Sequence, residues 1–120
     1  MTRLLAASVF GLLLVSAGAN ADMENYFECT INDGKTRADI VAFKTEYEAA
    51  AKAAGLETYN LKVLFPIYAD TGNRSFFWYG SFKDFEDLAR VSKWFRASDW
   101  PAKFQENMTC DGGSLWQAID

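Results

Sequence analysis

The sequence contains no histidine, and this absence removes the side chain that most often acts as a general base near neutral pH. Histidine is also the commonest protein ligand for transition metals. The chain has only two cysteines, which lie far apart and form no Cys-x-x-Cys spacing, so a thiolate metal site is not expected either. The sequence therefore predicts neither a metal site nor a cofactor.

Basic residues are outnumbered by acidic ones. The chain has 12 Lys and Arg against 16 Asp and Glu, which gives a formal net charge of -4 at pH 7. An acidic surface repels phosphate groups, and no basic cluster offsets this repulsion. Nucleic acid is therefore not an expected partner, and nothing favours binding to an anionic lipid surface.

The longest apolar run lies at the N-terminus and is typical of an export signal. Arg3 supplies a positive start, residues 4–15 are almost entirely apolar, and Ala19 and Ala21 give the small-residue pattern of a cleavage site. The run is shorter than the ~20 residues that a membrane-spanning helix needs. We therefore expect a signal peptide over residues 1–21 and a secreted product, in the periplasm of a bacterium, with no membrane partner after cleavage.

Cys29 and Cys110 are expected to form a structural disulfide. In an oxidising compartment, a single pair of cysteines at opposite ends of a domain is most simply a bridge. A bridge that closes so long a loop stabilises the fold by roughly 4 kcal/mol in the chain-entropy model.

Residues 22–120 fit a single domain, and the chain is 50% hydrophobic and 16% aromatic, which is enough to form a core. Residues 23–31 alternate between apolar and polar, which predicts a strand, and residues 32–34 predict a turn. Thr36 and Asp39 have the spacing of a capping box at the start of a helix that ends at Gly55. The apolar positions of this helix are Ile40, Phe43, Tyr47, Ala51 and Ala54.

The second half of the chain predicts strands over residues 59–68 and 75–81, joined by a turn at residues 70–73. Pro66 cannot donate to a ladder, so the first of these strands is expected at a sheet edge. A second helix is expected to begin after a cap at Ser81 and to end by Ser98. Its expected buried stripe consists of Phe85, Leu88, Ser92 and Phe95. A fourth strand follows over residues 104–110, and Gly112 and Gly113 then predict a turn into a short final strand over residues 115–119. These patterns do not place Trp94, Trp100 and Trp116.

This order of elements, strand, helix, strand, strand, helix, strand, predicts an α+β domain with the ferredoxin-like βαββαβ pattern: an antiparallel sheet with two helices on one face. In that topology the first and fourth strands are antiparallel neighbours and the second strand lies at the opposite edge. A bridge between Cys29 and Cys110 joins the first pair, and Pro66 lies in the strand at the other edge.

Over residues 23–110 this order of elements, together with the aromatic strand of residues 76–82 that leads into the second helix, resembles the dimeric alpha-beta barrel group of ferredoxin-like domains. That group includes cofactor-independent antibiotic-biosynthesis monooxygenases and small stress-responsive proteins. The resemblance implies a homodimer in which two sheets face each other and enclose a pocket. The histidine that several enzymes of the group employ has no counterpart here.

A hairpin centred on Thr71 and Gly72 would pair Val63 with Gly80 and Phe65 with Trp78 on the face that the helices cover. A one-residue slip would exchange the two faces of the sheet. The opposite face would then mix aromatic, apolar and polar side chains. Its candidate ligand-binding residues are Tyr26, Glu28, Lys62, Leu64, Phe77, Tyr79 and Asn107.

Three interpretations of this face stay open. Its aromatic residues can form a dimer interface that also encloses a mostly apolar ligand, or they can fill an ordinary core in a monomer. The third is a cofactor-free oxygenase or isomerase acting on an aromatic or quinone-like substrate. In that enzyme Glu28 would be the base, Tyr26 or Tyr79 the proton donor, and Lys62 the group that holds an oxyanion.

Overall fold

The computed structural model describes residues 22–67, 73–117 and 119, so the predicted signal peptide and most of the predicted turn at residues 70–73 lie outside the described residues. Within these ranges the chain forms four strands and three helices. The elements are β1 (Met23–Ile31), α1 (Arg37–Ala53), β2 (Asn60–Leu64), β3 (Ser75–Phe82), α2 (Phe85–Arg96), α3 (Trp100–Asn107) and β4 (Met108–Gln117). In this part of the chain no helix is both long and apolar enough to cross a membrane.

The strands form one antiparallel sheet in the order β2-β3-β1-β4. The α+β class is therefore confirmed. So are two details of the expected arrangement: β1 and β4 are antiparallel neighbours, and β2 lies at the opposite edge. Helix α1 connects β1 to β2, and β3 lies between these two strands in the sheet. Helices α2 and α3 connect β3 to β4, and β1 lies between them.

The two surfaces of the sheet differ sharply in burial because side chains alternate along each strand. We call the surface that packs against the helices the helix face and the other the open face. The helix face carries Met23, Phe27, Cys29, Ile31, Leu61, Val63, Phe76, Trp78, Phe82 and Met108. The open face carries Glu24, Tyr26, Glu28, Lys62, Leu64, Phe77, Tyr79, Ser114 and Trp116, all exposed or half-buried.

Helix α1 follows its predicted course. The Thr36 side chain accepts from the backbone N–H of Asp39, and the Asp39 carboxylate accepts from the backbone N–H of Thr36 at 2.8 Å, which completes the capping box. The hydrogen bond from the Thr36 backbone lowers the pKa of Asp39. Gly55, just beyond the helix, has a φ of 86°, a left-handed conformation that glycine adopts at little cost.

The predicted pairing of β2 with β3 was wrong by two residues. Val63 lies opposite Trp78 rather than Gly80, and Leu64 lies opposite Phe77. The strand ends at Leu64, before Pro66, whose missing N–H cannot continue the ladder, so the connection to β3 is longer than a tight turn. A shift of two preserves the face of every paired residue. Ile67 lies beyond the end of the strand and is 88% exposed.

Helix α2 is capped by Asp84 and not by Ser81, because β3 continues through Phe82. Because the helix starts three residues later than expected, a different set of its residues is buried. Phe85 is 63% exposed, whereas Val91 and Asp87 are buried. The Asp87 carboxylate accepts from the Thr58 hydroxyl and from the Arg90 guanidinium at 2.9 Å, so its burial is compensated by hydrogen bonds.

The strand predicted over residues 104–110 was wrong at its start, because residues 100–107 form helix α3. Pro101 lies in the first turn, where its missing N–H costs no helical hydrogen bond. Trp100 and Phe104, one turn apart, both pack against Phe43 and Tyr47. Asn107 is therefore the last residue of a helix, and its amide donates to the carbonyl of Lys103 at 2.9 Å.

The predicted turn at Gly112 and Gly113 was also wrong, since β4 runs through both glycines. The pairing of β4 with β1 shifts register opposite the segment between Phe27 and Cys29, as a β-bulge does. A Cβ atom on Gly113 would lie 2.5 Å from the Phe27 ring, whereas one on Gly112 would meet nothing within 4 Å. Gly113 is therefore needed for the close approach of an aromatic ring rather than for a turn.

The Cys29–Cys110 disulfide is present and joins residues that are opposite each other in the register of β1 and β4. The two Cα atoms are 4.0 Å apart, and the bridge spans a sequence separation of 81. Cys29 is buried in the core, whereas Cys110 is exposed. A disulfide is consistent with an extracellular or periplasmic protein.

Tyr47 of α1 stands at the centre of the core. Its ring packs against the aromatic rings of Tyr59, Trp78, Trp94, Phe95, Trp100 and Phe104. Its hydroxyl lies 3.2 Å from that of Tyr59, so the two buried phenols satisfy each other. Trp94 and Trp100, which the sequence pattern did not place, belong to this core.

Gly113→Ala is expected to lower the free energy of unfolding by roughly 1–3 kcal/mol, because the added methyl group must displace the Phe27 ring. Gly112→Ala is the matched control and should change the free energy of unfolding by no more than about 0.5 kcal/mol. Urea denaturation of both variants measures the difference. Equal stability of the two would contradict the close approach at Gly113.

Alkaline pH is expected to unfold the protein through its buried tyrosines. Burial raises the pKa of Tyr47 to about 12 and that of Tyr59 well above 10. Both ionise near pH 10 in the unfolded chain, so stability is constant with respect to them below pH 10 and falls as pH rises from 10 to 12. Tyr47 alone accounts for a loss of roughly 2–3 kcal/mol.

Denaturant titrations at pH 8, 10, 11 and 12, with phenolate absorbance recorded in parallel, test this dependence. Tyr47→Phe should reduce the loss between pH 10 and 12. If every tyrosine ionised near pH 10 while the near-ultraviolet circular dichroism stayed native, the burial of these hydroxyls would be refuted.

Candidate functional site

The open face carries a cluster of two tyrosines around one carboxylate. Tyr26 of β1 and Tyr79 of β3 are direct cross-strand neighbours, with ring centroids 4.9 Å apart. The Tyr79 hydroxyl donates to Glu24 Oε1 at 2.9 Å, and the Tyr26 hydroxyl donates to Oε2 at 3.4 Å. We call Glu24, Tyr26 and Tyr79 the tyrosine–glutamate cluster.

Desolvation by burial, reinforced by the Glu24 carboxylate, raises the pKa of both Tyr26 and Tyr79 above its ordinary value. Both phenols therefore stay protonated at neutral pH and continue to donate to Glu24. The cluster is therefore an arrangement of two aromatic rings hydrogen-bonded to one carboxylate, rather than a source of a readily released proton.

Lys62 lies on the same face, with its Nζ atom 5.7 Å from the centroid of the Tyr79 ring. Beside it, Leu64 and Phe77 face each other across β2 and β3 and are 42% and 45% exposed. The structure therefore brings six of the predicted site residues together on one surface: Tyr26, Glu28, Lys62, Leu64, Phe77 and Tyr79.

The seventh predicted site residue, Asn107, is placed differently, and Glu28 lacks the burial that its expected role requires. Glu28 lies on the open face opposite Phe77, but its side chain is exposed, so the burial that a carboxylate base would need is not met. Asn107 was expected in a strand of this face, but it is the last residue of helix α3. The carboxylate that the tyrosine hydroxyls contact is that of Glu24, which the sequence interpretation did not include.

A second candidate site lies between the helix face and helices α2 and α3. It is a cavity of about 340 Å³ with mostly apolar walls. The sheet contributes Phe27, Trp78 and Phe82, and the helices contribute Leu88, Val91 and Phe104. Gln105 and Cys110 also border the cavity and are exposed, so it opens to solvent where α3 meets β4.

One polar side chain of the sheet reaches this apolar cavity. Asn25 points to the helix face of β1 and lines the cavity, with Ser92 of α2 as a further polar neighbour. A Cβ atom on Gly80, the cross-strand partner of Asn25, would lie 2.7 Å from Asn25 Oδ1. Gly80 therefore provides the space that allows the Asn25 amide to lie within the apolar layer.

Sequence reasoning missed this cavity because one of its walls comes from α3, a segment that was expected to be a strand over much of its length. Asn25 nevertheless carried a signal, since it is a polar residue at a position of β1 that the alternation assigns to the apolar side. Glu24 carried one too, because it shares the face of Tyr26 at a spacing of two residues.

Among the described residues no cluster of three or more His, Cys, Asp or Glu side chains could hold a metal ion. Comparisons of the chain with protein-family models, with curated proteins and with solved structures find no match. A function can therefore be inferred only from the geometry of the chain's own residues.

Proposed function

We propose that this chain is a binding module for a small, mostly apolar ligand that carries one hydrogen-bonding group. The observation that carries the proposal is the cavity of about 340 Å³ between the sheet and helices α2 and α3. Its volume lies at the small end of the range typical of ligand pockets, about 300–1,000 Å³. The apolar walls supply affinity, and a hydrogen bond with the Asn25 amide orients the ligand.

The proposal includes the ferredoxin-like fold. Support comes from the strand order β2-β3-β1-β4, in which each helix-connected pair of strands is split by a third strand. The chain differs from the simple pattern by the additional helix α3 and by a β4 that continues as a long edge strand. The resemblance to the dimeric alpha-beta barrel group stays a prediction.

Binding is favoured over catalysis by the distribution of the polar groups. The exposed Glu28 and Lys62 lie on the open face, whereas the cavity is on the helix face. Tyr26 and Tyr79, the proton donors of the enzymatic interpretation, are held by Glu24. A substrate in the cavity would therefore be separated by the sheet from every group to which a catalytic role was assigned.

A homodimer formed through the open face is a second candidate, and it is the arrangement expected from the sequence. The observation in its favour is that Leu64, Phe77 and Trp116 are 42%, 45% and 60% exposed on one surface. Aromatic and apolar residues are enriched at the centre of such interfaces. Two open faces in contact would enclose the tyrosine–glutamate cluster of both copies.

Filling the cavity is expected to weaken ligand binding. Ser92→Phe places a ring among the cavity walls, so the affinity for p-cresol, used as a probe, should fall at least roughly tenfold. Ala89→Phe is the matched control, because Ala89 is exposed on the same helix. Chemical-shift titrations by NMR measure both affinities.

Asn25 is tested with a pair of probes that differ in one hydroxyl group. The wild-type protein should prefer p-cresol to p-xylene, and Asn25→Leu should remove that preference while p-xylene still binds. Unchanged binding of both probes in Ser92→Phe would refute the cavity as the site.

The homodimer is tested by sedimentation of matched charge variants. Phe77→Glu should shift a dimer to monomer, because it places a charge at the centre of the open face. Phe85→Glu alters a phenylalanine that is 63% exposed on α2 and should leave the association unchanged. A wild-type protein that stays monomeric at high concentration would contradict the dimer, but not ligand binding in the cavity.

A further inference from the structure

A groove runs along the β4 side of the open face, on the other side of the sheet from the cavity. Its aromatic walls are Tyr26, Phe77 and Trp116, and it also contacts Glu24, Ser114 and Gln117. The groove exists because Ser114, a short side chain, lies opposite Tyr26, while the larger Trp116 lies opposite Glu24. It is an open groove with three aromatic rings and one carboxylate.

Two of the three rings in this groove, those of Tyr26 and Trp116, make contacts that fix their orientation. Tyr26 packs on Tyr79, and both hydroxyls donate to Glu24. The indole N–H of Trp116 donates to the Ser114 hydroxyl at 2.9 Å. A ligand in the groove would therefore meet rings whose orientation is set in advance, which lowers the entropy lost on binding.

The charge of the groove selects for a cation. Among the described residues that line the groove, Glu24 is the charged one, and Glu28 lies farther along the same face of β1, opposite Phe77. The face already shows the relevant contact, since the Lys62 ammonium lies over the Tyr79 ring at 5.7 Å. Aromatic rings arranged around a space attract cations through their negative faces, and quaternary ammonium groups are the ligands that such cages hold best.

We propose that this groove binds a small quaternary ammonium compound, free in solution, against the rings of Tyr26, Phe77 and Trp116, with Glu24 as its counter-charge. A quaternary ammonium group cannot donate hydrogen bonds and is weakly hydrated, so aromatic faces and one carboxylate satisfy it. The proposal is independent of the cavity, because the two sites lie on opposite faces of the sheet.

The test is an NMR titration of the full protein with three probes: choline, its neutral isostere 3,3-dimethylbutan-1-ol, and phosphocholine. Choline should shift the Trp116 indole signal at concentrations at least roughly tenfold lower than the neutral isostere does. Phosphocholine should bind more weakly than choline, because Glu24 and Glu28 repel its phosphate. Tighter binding of phosphocholine would instead indicate a lipid-headgroup site and overturn the proposal.

Two variants assign the binding to the groove. Trp116→Leu and Glu24→Gln should each weaken choline binding at least about threefold, measured from the backbone signals of Ser114 and Gln117. Phe85→Leu and Glu57→Gln alter an aromatic and an acidic residue that are exposed elsewhere, and they serve as matched controls. Circular dichroism establishes that each variant keeps its fold.

The proposal is overturned if the neutral isostere binds as tightly as choline, because the site would then be merely apolar. It is also overturned if Trp116→Leu binds choline as the wild type does. If self-association shifts the signals of this face and choline does not, the occupant of the groove is a second copy of the chain.

Discussion

Strand β1 pairs on both of its edges, with β3 and with β4, and the strict alternation of its side chains determines what each surface of the sheet can do. Met23, Cys29 and Ile31 point toward the helices and are buried. Glu24 and Tyr26 point the other way and organise the open face. Because a single strand supplies both sets, the apolar cavity and the tyrosine–glutamate cluster are held in fixed relation, one on each side of the same backbone.

Secondary structure was predicted correctly where a segment carried only one local sequence pattern. The alternation of β1 and the capping box at Thr36 are examples, and both are present in the structure. The prediction was wrong where the local pattern of a segment fitted more than one structure. The segment before Cys110 has apolar residues at strand spacing and was expected to be a strand, but Pro101 lies in the first turn of helix α3, where proline is tolerated. A pair of glycines such as Gly112 and Gly113 is typical of a turn. Gly113 is instead needed because the Phe27 ring of the neighbouring strand leaves no room for a Cβ atom, and no local sequence pattern reveals such a cross-strand contact.

The same distinction applies to the candidate sites. The parity of residues along β1 and β3 was enough to gather Tyr26, Phe77 and Tyr79 on one face, because an error of two residues in register does not exchange faces. The cavity depended on α3 and on how α2 is oriented. The buried Asp87 of α2 accepts a hydrogen bond from Thr58 and thereby attaches α2 to the segment before β2. Tertiary contacts of this kind are not visible in sequence periodicity.

The irregular pairing opposite the segment between Phe27 and Cys29 also affects how this protein meets other strands. β4 is a long edge strand, and a long row of unpaired backbone groups at an edge invites edge-to-edge aggregation. The bulge divides that row into a short part next to Cys110 and a longer part that leads to Trp116. Since a bulge bends the strand and increases its local twist, a flat incoming strand would pair with one part of this edge but not with both, a geometry that disfavours templated fibril growth.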